Sequence, residues 1–211
     1  MKAIIISNGS IQDYTFYKKI LNDYDLIICA DGGANHAKCM GLIPDVIIGD
    51  FDSVDQNDLN TMKRQDTKIL SYPPIKDETD TQLAIEYAIE NGCNDLILIG
   101  CLGSRFDHSF ANVSLLKMIV DKGCKGTIIN ENNQIYLVDS SIELSGESGD
   151  VVSLLPITDK VTGITSQGLY YSLKDAEMKF GIPYGISNVF TQSNVSIAID
   201  SGLLLVIRAI D

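Results

Sequence analysis

The sequence predicts an α/β domain with a doubly wound, mostly parallel sheet, followed by a small antiparallel β-sandwich. Three observations predict it. In residues 1–125, short apolar runs alternate with amphipathic helical segments, and that alternation builds parallel sheets. In residues 126–211, short runs recur roughly every ten residues, the spacing of a sandwich or barrel, with turn-rich SGESGD, SQG and DSG between them. The pattern changes near Lys125 without a long linker, repeat or low-complexity segment.

The first-half strands are expected at Ala3–Ser7, Leu26–Ala30, Val46–Gly49, Lys68–Tyr72 and Leu96–Gly100. Most are continuous apolar runs, as strands covered on both faces should be. Thr81–Glu90 places Leu83, Ala84, Tyr87 and Ala88 on one helical stripe. Asn91-Gly92 closes it, and Thr79 with Gln82 fits a capping box. Ser109–Val120 is a second amphipathic helix, closed by Gly123, and a further helix is expected from near Val54. Second-half strands are expected at Thr127–Asn130, Gln134–Val138, Val151–Leu155, Val161–Ser166, Val195–Asp200 and Leu203–Arg208, with a helical turn or more at Lys174–Lys179.

The 211 residues carry 28 acidic and 16 basic side chains, a net charge of −12. Such a surface repels phosphate backbones and argues against nucleic-acid binding. It also means that a phosphorylated substrate would need a divalent metal to offset the acid. Hydrophobic residues make up 45% and charged residues 21%, the balance of an ordered globular protein. The leading apolar run, Ala3–Ile6, is too short for a signal core or a membrane span, and no later run reaches ~18 residues. Cys29, Cys39, Cys93, Cys101 and Cys124 form no CxxC. They read as reduced, mostly buried thiols of a cytoplasmic protein.

Four polar clusters follow first-half strands, where ligands gather in a doubly wound sheet. Asp31-Gly32-Gly33 combines an acid with glycines that allow close backbone approach, or is a plain strand-to-helix turn. PDVIIGDFDSV carries Asp50 and Asp52. In extended chain these point the same way, and paired carboxylates suit Mg²⁺, although Asp52 or Ser53 would also serve as a helix cap. Lys76-Asp77-Glu78-Thr79-Asp80 opens a helix with more acid than capping requires, so that Asp80 could complete a metal site and Lys76 meet a phosphate. Gly103–His108 holds Arg105, one of three arginines with Arg64 and Arg208. Its guanidinium can grip phosphate oxygens in bidentate fashion, and Asp107 could orient it or bind a ribose or water. His108 reads better as a hydrogen-bonded structural histidine than as an acid or base. There is no GxxxxGK[ST], GxGxxG or GxSxG. Acid-rich, metal-assisted phosphoryl or diphosphoryl transfer is the chemistry left.

ADGGANH (30–36), PDVIIGDFDS (44–53), KDETDTQLAIEYA (76–88), GSRFDHSFANVSLL (103–116), GDVVSLLP (149–156), GITSQGLYYSL (163–173) and GISNVF (185–190) occur in an order that resembles the thiamine pyrophosphokinase family over nearly the whole chain. The resemblance implies an α/β nucleotide- and Mg²⁺-binding domain over 1–125 and a β-sandwich for thiamine binding and dimerisation over 126–211. It implies diphosphate transfer from ATP to the thiamine hydroxyl, with AMP released, in a homodimer whose active sites lie between the α/β domain of one subunit and the sandwich of the other. By position, Asp50, Asp52 and Asp80 correspond to the Mg²⁺ and diphosphate site, and Asp31, Gly32, Lys76, Asp77, Thr79, Arg105 and Asp107 to ATP contacts. Tyr171, Ser187 and Asn188 correspond to the thiamine side. Ser104 stands where a second glycine is usual and Tyr170 where lysine is common. With no tryptophan in the chain, an aromatic face for the thiazolium must come from Tyr or Phe. A pyrophosphokinase for another small alcohol, such as a hydroxymethylpterin, and a non-catalytic nucleotide or thiamine sensor are the alternatives.

Overall fold

The computed structural model describes residues 1–51 and 66–210, so Asp52, Ser53 and the helix expected from Val54 lie outside the described residues. The chain forms two compact units, Met1–Glu131 and Asn132–Asp211. The first contains β1 (Lys2–Ile6), α1 (Tyr14–Ile20), β2 (Leu26–Ala30), α2 (Gly33–Met40), β3 (Val46–Gly49), β4 (Lys68–Ser71), α3 (Asp80–Glu90), β5 (Asp95–Ile99), α4 (Phe106–Asp121) and β6 (Lys125–Ile129).

Its strands lie in the order β6-β5-β1-β2-β3-β4, and every pairing is parallel. β1 is flanked by β2 and β5, so the winding reverses beside it, and a crevice forms there at the carboxyl ends of the strands. The continuous apolar runs are the cause. Ile4, Ile5, Ile6, Ile28, Ile47 and Ile48 are wholly excluded from solvent, and each such side chain contributes about 1.5–3 kcal/mol of burial. β4 lies at the end of this order, and Lys68 and Ser71 are exposed. β6, expected in the sandwich, instead pairs in parallel with β5.

The helix signals act locally. Thr79 Oγ1 accepts from the Gln82 backbone N–H at 3.1 Å, but the Gln82 amide donates to Glu86 rather than returning to Thr79, so half of the capping box forms. Gly92, in the left-handed region at φ 87°, follows the Asn91 cap as expected. α4 begins three residues before Ser109, whose hydroxyl donates to the Arg105 and Gly103 carbonyls.

The second unit contains β7 (Asn133–Val138), β8 (Ser141–Ser145), β9 (Val151–Pro156), β10 (Lys160–Gln167), β11 (Ala176–Lys179), β12 (Gly185–Val189), β13 (Asn194–Ala198) and β14 (Leu204–Ala209). The runs β12-β9-β14-β7 and β11-β10-β13-β8 are antiparallel throughout. They share a core that includes Val152, Leu154, Val161, Ile164, Phe190, Ile197 and Val206. The helical turn expected at Lys174–Lys179 is a strand. Met178 is buried between exposed Glu177 and Lys179, a period of two that a helix cannot satisfy, and Glu177 pairs with Lys160 on the neighbouring strand.

The thiols sort by burial. Cys29, Cys93 and Cys101 are buried, Cys124 is half-buried and Cys39 is exposed. Burial pushes the Cys101 thiol up to about 12 and raises that of Cys29 as well. A thiol reagent at about pH 8 should therefore modify Cys39 first and leave Cys29 and Cys101 untouched until the protein unfolds. Uniform reaction of all five in native buffer would contradict this packing.

Candidate active site

A cleft of about 630 Å³ lies in the first unit, outside the carboxyl ends of β1, β2, β3 and β5. The turn after each strand supplies one part of its wall. Asp31 and Asp50 follow β2 and β3 directly, Lys76 comes from the segment before α3, Thr79 and Asp80 from its start, and Arg105 is the N-cap residue of α4.

The backbone is bent for this purpose. Asp31 has φ 45° and Phe51 φ 64°, left-handed conformations that cost a residue with a side chain about 1 kcal/mol or more. Asp31 holds its turn with a backbone N–H bond to Ile48 O at 2.8 Å. The Phe51 conformation alters the expectation for Asp50 and Asp52. The chain between them is not extended, so their shared direction cannot be taken from strand alternation.

Gly32 and Gly33 are both buried. A Cβ on Gly33 would overlap the Ile6 carbonyl, and one on Gly32 would overlap the Asn8 side chain. Their close approach is thus to the end of β1 and the segment after it, and Gly32 is not among the residues facing the cleft.

Charge is arranged with the positive groups among the acids. Lys76 Nζ pairs with Asp80 Oδ1 at 2.8 Å, the two side chains being 12% and 23% exposed. Arg105 forks onto Asp107, Nε to Oδ1 at 3.2 Å and Nη2 to Oδ2 at 2.6 Å. These hydrogen bonds hold the Asp107 carboxyl down to about 2. Arg105 faces the cleft and Asp107, its hydrogen-bond partner, does not. Asp77 is exposed and also outside the cleft. His108, expected as a structural tie, is exposed on the first turn of α4 and lines the cleft.

Hard carboxylate oxygens from Asp31, Asp50 and Asp80 facing one space suit Mg²⁺. Among the described residues no three acidic, His or Cys side chains enclose an ion unaided.

Several cleft residues went unpredicted. Ser7, Asn8, Gly9 and Ser10 follow β1 and form a wall. Ser7 Oγ lies 2.9 Å from Thr81 Oγ1, and the Cys101 thiol donates to Ser7 Oγ at 3.5 Å, so the ends of β1 and β5 and the start of α3 are tied beneath the cleft. Asn112 Nδ2 donates to Cys101 O at 2.7 Å. The signal was available: SNGS after a strand meets the same strand-end criterion as the other four clusters.

In the second unit, Tyr171 is 64% exposed and stands edge-to-face with Tyr170, ring centroids 5.0 Å apart. Asn188 is buried. Its Oδ1 accepts from the N–H of Tyr171 at 3.0 Å and of Val189 at 2.9 Å, and its Nδ2 donates to Tyr171 O at 2.8 Å. Asn188 thus fixes the Tyr171 backbone and has no amide oxygen direction left for a ligand. Ser187 is exposed with φ 56°.

Residues 17–128 match the family model "Thiamin pyrophosphokinase, catalytic domain", and residues 139–204 match "Thiamin pyrophosphokinase, vitamin B1 binding domain". The chain is 28% identical over 218 residues to a thiamine pyrophosphokinase of Bacillus subtilis, covering 100% of both chains. It is 26% identical over 231 residues to thiamine pyrophosphokinase 1 of Arabidopsis thaliana, covering 96% of this chain and 84% of that protein. Crystal structures of the thiamine pyrophosphokinases of B. subtilis and Geobacillus thermodenitrificans superimpose with TM-scores of 0.89 and 0.85, at 26% and 27% identity. They cover 100% of this chain and 100% and 98% of theirs.

Proposed function

The chain belongs to the thiamin pyrophosphokinase family, and from that membership we propose how its own residues divide the work. The protein is a thiamine diphosphokinase: it transfers the diphosphate group of ATP to the hydroxyl of thiamine and yields thiamine diphosphate and AMP. In this step the hydroxyl oxygen bonds to the β-phosphorus, the bond from that phosphorus to the α-phosphate oxygen breaks, and the hydroxyl proton is lost.

Asp50, Asp52 and Asp80 hold Mg²⁺ and the diphosphate, with Asp31 beside them. Bound Mg²⁺ supplies charge neutralisation at the phosphate oxygens. Lys76 and Arg105 contact phosphate, Asp107 orients Arg105, and Thr79 places the α3 N-terminus toward the anion. Asp80 and Asp77 are the carboxylates that could accept the hydroxyl proton; Asp80 lines the cleft and Asp77 does not, which favours Asp80. The observation that carries this assignment is the single cleft shared by Asp50, Asp80, Lys76 and Arg105, four side chains from separate parts of the sequence. Catalysis of this kind is positioning and electrostatics.

The second unit, residues 132–211, holds thiamine and forms the dimer contact, so that each active site completes across subunits of a cytoplasmic homodimer. Tyr171 stacks on the thiazolium, Ser187 contacts thiamine, and Asn188 acts by fixing the Tyr171 backbone. Tyr171→Ala should raise the KM for thiamine about 2- to 30-fold, the range of a cation–π contact, with kcat nearly unchanged; an unaltered KM would remove Tyr171 from the site. The activity itself is tested by incubating the protein with ATP and Mg²⁺, with and without thiamine, and separating nucleotides. Thiamine-dependent AMP is expected. ADP as product, or AMP formed equally without thiamine, would overturn the assignment.

A further inference from the structure

His36 sits on α2, and both of its ring nitrogens are engaged. Nε2 lies 2.8 Å from the Gly9 carbonyl and Nδ1 lies 2.9 Å from the Tyr14 hydroxyl. A carbonyl only accepts, so Nε2 carries the proton, and Nδ1 accepts from the Tyr14 O–H. The ring is half-buried and tilted against Tyr14, centroids 5.9 Å apart. On its other side the Gly9 segment is pinned by the chain that follows β5: Gly9 N–H donates to Gly100 O at 2.6 Å and Ser10 N–H to Leu102 O at 2.9 Å. A Cβ on Gly9 would strike both of those carbonyls. The segment so clamped is the Ser7–Ser10 wall of the cleft, and Ser10 Oγ lies beside Gly103 in the loop that carries Arg105.

We propose that His36 is a positioning residue for the nucleotide: the Tyr14 hydroxyl anchors its Nδ1, and its Nε2–H holds the Gly9 carbonyl, which sets the Asn8–Ser10 wall against ATP. The proposal rests on the cleft being the nucleotide site. His36 touches no substrate, so its effect falls on ATP affinity rather than on the chemical step.

His36→Leu removes both hydrogen bonds at similar bulk. It should raise the KM for ATP about tenfold, the size of one lost buried hydrogen bond, and leave kcat and the KM for thiamine within about twofold. His36→Gln, whose amide N–H can reach the Gly9 carbonyl, should recover most of the loss. A wild-type KM for ATP in His36→Leu, a parallel fall of all constants together with Tm, or a Gln variant no better than Leu would overturn the proposal. A second measurement needs neither substrate nor a folded His36 variant. With only two histidines in the chain, ring ¹⁵N shifts assigned with His108→Asn should show His36 as the Nε2–H tautomer, in the wild-type protein and in Tyr14→Phe alike, because the Gly9 carbonyl still requires that proton. An Nδ1–H tautomer in the wild-type protein would overturn the tether. If the wild-type protein releases no AMP, the enzymatic assignment fails while the ring signature still decides the tether.

Discussion

Asp80→Asn should lower kcat by about two to three orders of magnitude at saturating Mg²⁺, ATP and thiamine, the range for removing one preorganised electrostatic group from an active site. The change is nearly isosteric. It keeps the Thr79 cap, whose bond goes to Gln82 N–H. It breaks one ion pair, Asp80 with Lys76, on side chains 23% and 12% exposed. Partial solvation discounts that pair, so the stability loss should be only on the order of 1 kcal/mol. The functional loss should be far larger, because it removes a hard anionic ligand and leaves the Lys76 ammonium without its acid. Steady-state kinetics and a thermal melt on the same sample check this. A variant that keeps near-normal kcat with a lowered Tm would make Asp80 a helix-start residue and nothing more.

Arg105→Lys should cost about 10- to 100-fold in kcat/KM for ATP, although the charge is retained. Lysine cannot reproduce the planar fork that meets two oxygens at once. The fork is already shaped by its contact with Asp107 at 2.6 and 3.2 Å. Asp107→Asn should therefore show a smaller loss in the same direction, since it loosens the guanidinium without removing it. The pair is insensitive to pH over the working range. Asp107 is depressed to about 2, so whatever the pair contributes to stability is present above the ordinary carboxylate pKa of roughly 4 and is lost only as pH falls toward 2. An acid limb in the activity profile above pH ~4 must then come from another group. A lysine variant with unchanged kcat/KM would show that Arg105 acts at most as a diffuse charge.

Much of the first unit was legible because its strands are buried on both faces. Ile4–Ile6, Ile27–Ala30 and Val46–Ile48 leave no polar interruption, and Asn91-Gly92 and Gly123 mark helix ends by backbone chemistry alone. The sandwich was harder. In β8 the apolar signal is only two residues, Ile142 and Leu144, among Ser141–Ser145, too short a run to stand out from the turns around it. β11 was read as helix because Lys-Asp-Ala-Glu-Met-Lys has good helix formers, while the burial of Met178 and the Lys160–Glu177 pair are tertiary and outweigh propensity. The site divides in the same way. The acids and Arg105 were visible because each follows a strand. The role of His36 was not, since its partner Gly9 is 27 positions away and a carbonyl has no sequence signature. The left-handed Phe51 was invisible too, for Phe is a residue that sequence reasoning never assigns to that region.

The most direct test is a crystal structure of the protein with Mg²⁺, thiamine and an ATP analogue whose α–β bridge is methylene, so that the scissile bond stays intact. A metal in contact with Asp50 and Asp80 and bridging the phosphates, with Arg105 and Lys76 against the phosphate oxygens, is the arrangement expected. A nucleotide bound elsewhere, with those four side chains unchanged and the cleft holding solvent, would contradict the account.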